Sequence, residues 1–352
     1  MSRSGSGYGS PPRREMLASA TWIGASGQNQ CYALAYDSNY IYAGLYTSPA
    51  RVIKIDRLTM TTVGVWTGLP GTAGVSGQHY VRALTYDGAY IYAGLYNWTP
   101  QPGQVVKIDP ATMTTVNTWT GSASQVYCLA LAYDGTFIYA GFDISPGQLV
   151  KIDRSTMTTI LTWNGGTGSG LPQALTLDSI FLYAGTYRAP AQVHKIDRAT
   201  MTTVLNWTGA TGQNYVRAVT NDGAYVYAGL SLSAGKVIKI DLSTMTTVLI
   251  SSGSYPPNYC RALTYDGAYV YAGLRVAPAM VTKLDPATLL TIDHWIGTSG
   301  QNFCDALIFD GACFHAGLEV SPAQVVKLSS SSPIIPTAKG SIPHRLVGAV
   351  LI

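Results

Sequence analysis

The chain has 352 residues, with 22 Lys and Arg against 18 Asp and Glu, 47% hydrophobic types and only 11% charged ones. That composition excludes a disordered chain and supplies the apolar material for a large core. The net charge of +4 resides in the two ends, since residues 1–15 carry Arg3, Arg13, Arg14 and Glu15 and residues 329–352 carry Lys339 and Arg345; the neutral body lacks the basic face that binding to nucleic acid requires.

Residues 1–15 are rich in Ser, Gly, Pro and Arg and contain no apolar stretch of the kind a secretory signal needs, so they read as a flexible arm. No apolar run approaches the ~18 residues of a membrane span. Five cysteines at unpaired spacings do not describe a disulfide framework, and reduced thiols at folding are expected.

From Met16 onward the chain repeats itself. The Gly of an Ala-Gly pair recurs at Gly44, Gly94, Gly141, Gly185, Gly229, Gly273 and Gly317, the last five spaced by 44 residues. Around each stand W-x-G, A-L-x-Y-D-G, Y-x-Y-A-G, V-x-K-I-D and T-M-T-T-V, with Trp22, Trp66, Trp119, Trp163, Trp207 and Trp295 in one column and Ser251 as its exception. Each unit holds four short β-branched and aromatic runs separated by turn residues, a four-stranded meander. Asp-Gly, as at Asp87-Gly88 and Asp134-Gly135, predicts type I′ hairpin turns with positive φ at both central residues. Four strands per ~44 residues, seven times, predict an all-β, seven-bladed β-propeller over residues 16–328. The seventh unit lacks its T-M-T-T-V strand, whereas Met16 to Trp22 has the spacing of Met201 to Trp207. The N-terminal strand is therefore expected to close the ring as the outer strand of blade 7.

This frame resembles the YVTN-type β-propeller repeat of surface-layer proteins, in which a D-G turn, an aromatic strand and an I-D-x-x-T turn follow in the same order. The chain has Y-A-G-L where that family has Y-V-T-N. The resemblance implies a binding or surface role and no catalytic residue.

Residues present in most repeats serve the repeat, and those that change between equivalent positions are free for function. By that test the Lys column, from Lys54 to Lys327, is structural, six of the seven Lys having an Asp two residues later with which to form a local ion pair, as in Lys54 and Asp56; a ring of anion-binding lysines is the alternative. Cys31, Cys128, Cys260 and Cys304 share a column with Val81, Pro172 and Val216, which reads as small buried hydrophobes. Closure brings Cys260, Cys304 and Cys31 onto consecutive inner strands, but no His column completes a thiolate metal site, and neither metal nor cofactor is expected. No nucleophile elbow, phosphate loop or dinucleotide fingerprint is present.

Variation gathers at one end of the meander, where strand four leads to the next blade and strand two leads to strand three. Two insertions there, between Trp66 and Asp87 and between Gly94 and Lys107, bring in His79, Asn97, Trp98 and Gln101. Two residues after the repeat Gly stand Tyr46, Tyr96, Asp143, Tyr187, Ser231, Arg275 and Glu319. Five before the turn Asp stand Tyr32, Arg82, Leu129, Gln173, Arg217, Arg261 and Asp305. The candidate binding face is Tyr46, His79, Arg82, Tyr96, Trp98, Asp143, Tyr187, Arg217, Arg261, Arg275, Asp305 and Glu319: aromatic rings suit sugar or protein surfaces, and Arg supplies planar donors for carboxylate or sulfate. Residues 329–352 form an extension whose apolar end, Leu346, Val347, Val350, Leu351 and Ile352, is expected to dock on a partner.

The expected function is non-enzymatic recognition or attachment, as a structural or receptor-facing component of an extracellular or virus-like assembly. A protein partner is expected, with a glycan second. The expected location is a virion or particle surface, the cytoplasm being the alternative. A soluble lectin and an enzyme using Asp305 and Glu319 near Arg261 and Arg275 at the channel mouth are the competing readings.

Overall fold

A computed structural model describes residues 16–71, 77–97, 101–231, 236–252 and 259–329. Over those residues the chain forms seven sheets of four antiparallel strands and no helix. Blade 1 consists of Cys31–Tyr36, Tyr40–Leu45, Arg51–Asp56 and Thr62–Thr67, in order from the axis outward, and blades 2 to 6 repeat that order. Blade 7 takes three strands from residues 304–329 and its fourth from Leu17–Ile23, which pairs antiparallel with Gln324–Ser329. The first strands of successive blades lie side by side, and that of blade 7 packs against that of blade 1. The ring of a β-propeller is closed by the N-terminal strand.

The first three strands of each blade read as continuous apolar runs because neighbouring blades cover both faces. Fourth strands form the rim, exposed except for a buried Trp. The core therefore lies between blades: one apolar cluster joins Val52, Trp66 and Tyr42 of blade 1 to Leu84, Ile91 and Met113 of blade 2, and another joins blade 7 to blade 1. Each rim Trp from Trp22 to Trp207 donates its indole N–H to a Thr hydroxyl of the next blade, as Trp22 does to Thr62 Oγ1 at 2.9 Å and Trp163 to Thr203 Oγ1 at 2.8 Å.

The repeat Gly is required by close approach. A methyl group at Gly44 would lie 2.5 Å from Val81 Cγ1, at Gly185 2.4 Å from Val216 Cγ1, and at Gly94, Gly229, Gly273 and Gly317 between 2.5 and 2.7 Å from the Sγ of Cys128, Cys260, Cys304 and Cys31. Each contact crosses a blade boundary. None of these glycines has a positive φ, so contact, not conformation, dictates the residue.

The turns depart from the type I′ expectation. Gly88, Gly135, Gly223, Gly267 and Gly311 have positive φ, but the Asp before each does not. The Asp side chain organises the turn: Asp87 Oδ1 accepts the amides of Ala89 and Tyr90, and Asp37 does the same where Ser38 replaces Gly. The other carboxylate oxygen accepts a buried phenol from the second strand, as from Tyr42, Tyr92, Tyr139, Tyr183, Tyr227 and Tyr271; in blade 7 His315 Nε2 takes that place at 2.7 Å from Asp310 Oδ2. An Asx-type cap does the work expected of backbone conformation alone.

The local Lys–Asp ion pair is also corrected. Asp56 is occupied by the amides of Leu58 and Thr59 in its own turn. Lys54 crosses instead to the next blade, donating to the Pro110 carbonyl at 2.8 Å; Lys107, Lys151, Lys195, Lys239 and Lys327 reach the equivalent turns. The four-carbon stem spans the blade gap while the ammonium rests on an aromatic ring, 3.9 Å from the Tyr40 centroid for Lys54. From those turns Arg57, Arg154 and Arg198 return to Asp310, Asp87 and Asp134 of the preceding blade. This end of the ring is stitched by repeated contacts.

Two outcomes follow. Gly185→Ala should lose about 1–3 kcal/mol to overpacking, and adding Val216→Ala should restore part of it; urea unfolding of the single and double variants gives the coupling. Trp22→Ala should cost about 3–5 kcal/mol, whereas Ile160→Ala, on the exposed rim, should stay within about 0.5 kcal/mol.

Candidate functional site

At the opposite end the repeats diverge. In all seven blades the pairing of first and second strands skips one residue, and the skipped residues are Tyr32, Arg82, Leu129, Gln173, Arg217, Arg261 and Asp305. A β-bulge takes its extra residue out of the ladder and re-aims it. On the innermost strand of a propeller this sets seven side chains around the mouth of the central channel. The residue two past the repeat Gly joins them: the amides of Tyr46, Tyr96, Asp143, Ser231 and Glu319 donate to carbonyls of Gln30, Tyr80, Tyr127, Tyr215 and Phe303, just before the first strands. The two variable positions thus share one end, as their place in the meander requires.

Aromatic pairs bridge neighbouring blades around this mouth. Tyr46 stacks on Tyr80 with centroids 4.0 Å apart, Tyr96 on Tyr127 at 3.9 Å and Tyr187 on Tyr215 at 4.2 Å. All six rings are half-buried. Tyr80, Tyr127 and Tyr215 were not among the sequence candidates. The signal for them was the column one residue before Cys or Val, which is aromatic in five blades.

The charges separate into two groups. On blades 6 and 7, Arg261 Nε donates to Asp305 Oδ1 at 3.1 Å, and Arg275 holds Glu319 at 2.8 Å with Asp305 at 4.0 Å. Burial lifts the Asp305 carboxyl to about 6, Arg261 opposing and Glu319 reinforcing the shift. Arg82 and Arg217, on blades 2 and 5, have no such carboxylate partner among the described residues. Arg82 lies over the Tyr32 ring, 4.4 Å from its centroid, and Arg217 over Tyr187 at 4.2 Å while donating to Gln173 Oε1 at 2.7 Å. Burial first, then repulsion from Arg261, lowers the pKa of both, Arg217 to about 10. Asp143 also faces this side, its carboxyl raised by burial against the pull of Arg217 and Arg82.

The blade 2 insertions meet as expected, but their inner residues serve the scaffold. His79 is buried, its Nδ1 2.8 Å from Ser48 Oγ of blade 1, and its amide donates to Oδ1 of fully buried Asn97. His79 and Asn97 brace the loops; Tyr96 reaches the mouth. Trp98 and the segment Leu346 to Ile352 lie outside the described residues.

Cys31, Cys128, Cys260 and Cys304 are buried against the repeat glycines, and burial raises their thiols, that of Cys260 to about 12. Among the described residues no group of three His, Cys, Asp or Glu side chains is placed to hold a metal ion, and no helix is long and apolar enough to cross a membrane.

Fold and site together define a seven-bladed β-propeller with one uniform face and one individualised channel mouth. No family model matches the chain, and no curated protein matches it.

The buried carboxyl of Asp305 sets a pH dependence. Its folded pKa of about 6 lies above the ordinary Asp value of about 3.9, so the native state holds an extra proton between these values and stability falls as pH rises from about 4 to 6. Urea unfolding across that range should show wild type losing stability relative to Asp305→Asn, with a constant difference above it.

Proposed function

We propose that this protein is a non-enzymatic recognition or attachment module that holds its ligand or partner at the channel mouth. The observation that carries the reading is the bulge: its geometry is the same in seven blades, while the residue it presents changes from Tyr to Arg, Leu, Gln and Asp. A rigid scaffold presenting varied side chains at one end is the arrangement used for binding sites. Half-buried tyrosine pairs and guanidinium groups are the chemistry of such surfaces. The likeness of the repeat to YVTN-type surface-layer repeats supports a place on the surface of a larger assembly.

Asp305 favours a second reading, an enzyme at the same mouth, because a buried carboxyl near 6 beside Glu319 has the properties of a general acid. Its engagement by Arg261 supports the binding role over that one.

The test compares wild type, a Tyr96→Ala/Tyr187→Ala variant and an Arg198→Gln variant of the opposite face, on arrays of purified glycans and candidate particle proteins, with mass analysis of recovered ligand. The mouth variant should bind at least about tenfold more weakly and Arg198→Gln should bind as wild type does. Equal loss in both would move the site away from the mouth, and chemically altered ligand would establish the enzyme.

A further inference from the structure

Arg82 is nine-tenths buried, with residual exposure of 9%. Among the described residues it makes no ion pair and donates no hydrogen bond, and its Nε is buried without a partner. Arg217 donates to Gln173 Oε1 and also engages the Tyr187 side chain, but among the described residues its Nε is likewise buried and unpartnered. Buried polar groups are ordinarily satisfied, and charged ones above all. Burial first, and then the charges of neighbouring arginines, lowers the basicity of both. Among the described residues no carboxylate pairs with either of them.

Their placement specifies what fits. Blades 2 and 5 are three steps apart, the largest separation a ring of seven allows, so the bulges carry Arg82 and Arg217 to opposite sides of the channel. Tyr32 and Tyr187 lie over the guanidinium groups, so a ligand meets these groups at the remaining N–H edges. Those edges bind a carboxylate in its own plane, two donors to two oxygens. Arg261 and Arg275 are already committed to Asp305 and Glu319, and Asp143 stands within the field of both free cations without pairing with either. Beyond the guanidinium groups come the stacked pairs Tyr46–Tyr80, Tyr96–Tyr127 and Tyr187–Tyr215, whose apolar bodies and hydroxyl tips match the C–H faces and hydroxyls of a sugar ring.

We propose that the ligand of this mouth is an acidic saccharide whose carboxylate sits between Arg82 and Arg217, with its ring against the tyrosine pairs. The inference rests on the recognition reading and gives it a ligand class. Binding removes the repulsion that the empty mouth carries, so the same two residues that weaken the unliganded fold strengthen the complex.

The experiment is calorimetric titration and thermal melting of the full chain with glucuronate and N-acetylneuraminate as probes, against glucose, acetate, sulfate and a short peptide with a free C-terminal carboxylate. One of the two acidic sugars should bind and raise the melting temperature, glucose should not, and acetate and sulfate should bind at least tenfold more weakly than the sugar. Arg82→Met and Arg217→Met should each weaken sugar binding at least tenfold while raising the melting temperature of the unliganded protein, a gain that a structural role for either Arg would reverse. Glucose binding as tightly as its acid, or the peptide matching the sugar with the same dependence on Arg82, overturns the proposal. So does failure of both acidic sugars to bind. Neutral glycans or a protein bound at the mouth, lost in Tyr96→Ala/Tyr187→Ala and unaffected by Arg82→Met, would sink this inference and leave the recognition reading standing.

Discussion

The structure depends on a contact with no room for a β-carbon: a Cys, Val or Pro at the start of each inner strand, first or second in it, rests on the Cα of the preceding blade's repeat Gly. Seven such contacts set the distance between blades near the axis, where the sheets are closest. Farther out, at five of the seven boundaries, the Trp indole bonding to the next blade's Thr sets it at the rim. With spacing fixed at both radii, the angle between neighbouring sheets is fixed too, and an angle repeated seven times either closes a ring or fails to. Interiors are packed densely enough that one added methylene propagates, so a repeat protein has little freedom in this column.

That constraint divides the molecule's labour. One end of the ring is consumed by cross-blade bonding, with lysines reaching carbonyls and arginines returning to turn carboxylates. Because so much of the spacing is secured there and in the core, the channel mouth need contribute little to stability. The mouth can then carry buried guanidinium groups whose Nε atoms have no partner. Natural proteins break the rules of polar satisfaction at sites of function and compensate elsewhere, and here the compensation is the stitching of the far face.

The sequence made the architecture legible because seven copies average out local ambiguity: any one Ala-Gly pair is weak, and seven at intervals of 44 to 50 residues define a ring. It also placed the two variable columns at one end of the ring, since position within the meander decides which loops share an end. Three things escaped it. The partners of Lys54 and its equivalents lie one blade away, a distance that spacing along one strand cannot express. The Asp-capped turn hid behind the same Asp-Gly pair that marks type I′ hairpins, and only the backbone angles separate them. His79 looked like a functional novelty because it lay in an insertion, whereas a longer loop needs its own internal bracing and His79 with Asn97 supplies it.

The seam in blade 7 has a kinetic meaning. Leu17 pairs with Ser329, so the contact that shuts the ring links positions more than three hundred residues apart in a molecule otherwise made of neighbours. Six blades can nucleate from local hairpins, each within its own stretch of chain, but the seventh must wait for both ends to find each other, and loop-closure entropy opposes that meeting. Until then Gln324–Ser329 presents an open edge of backbone donors and acceptors. A second molecule's Leu17–Ile23 can fill that edge as well as the chain's own, so the feature that completes the monomer is also the site at which two incompletely folded molecules can exchange strands.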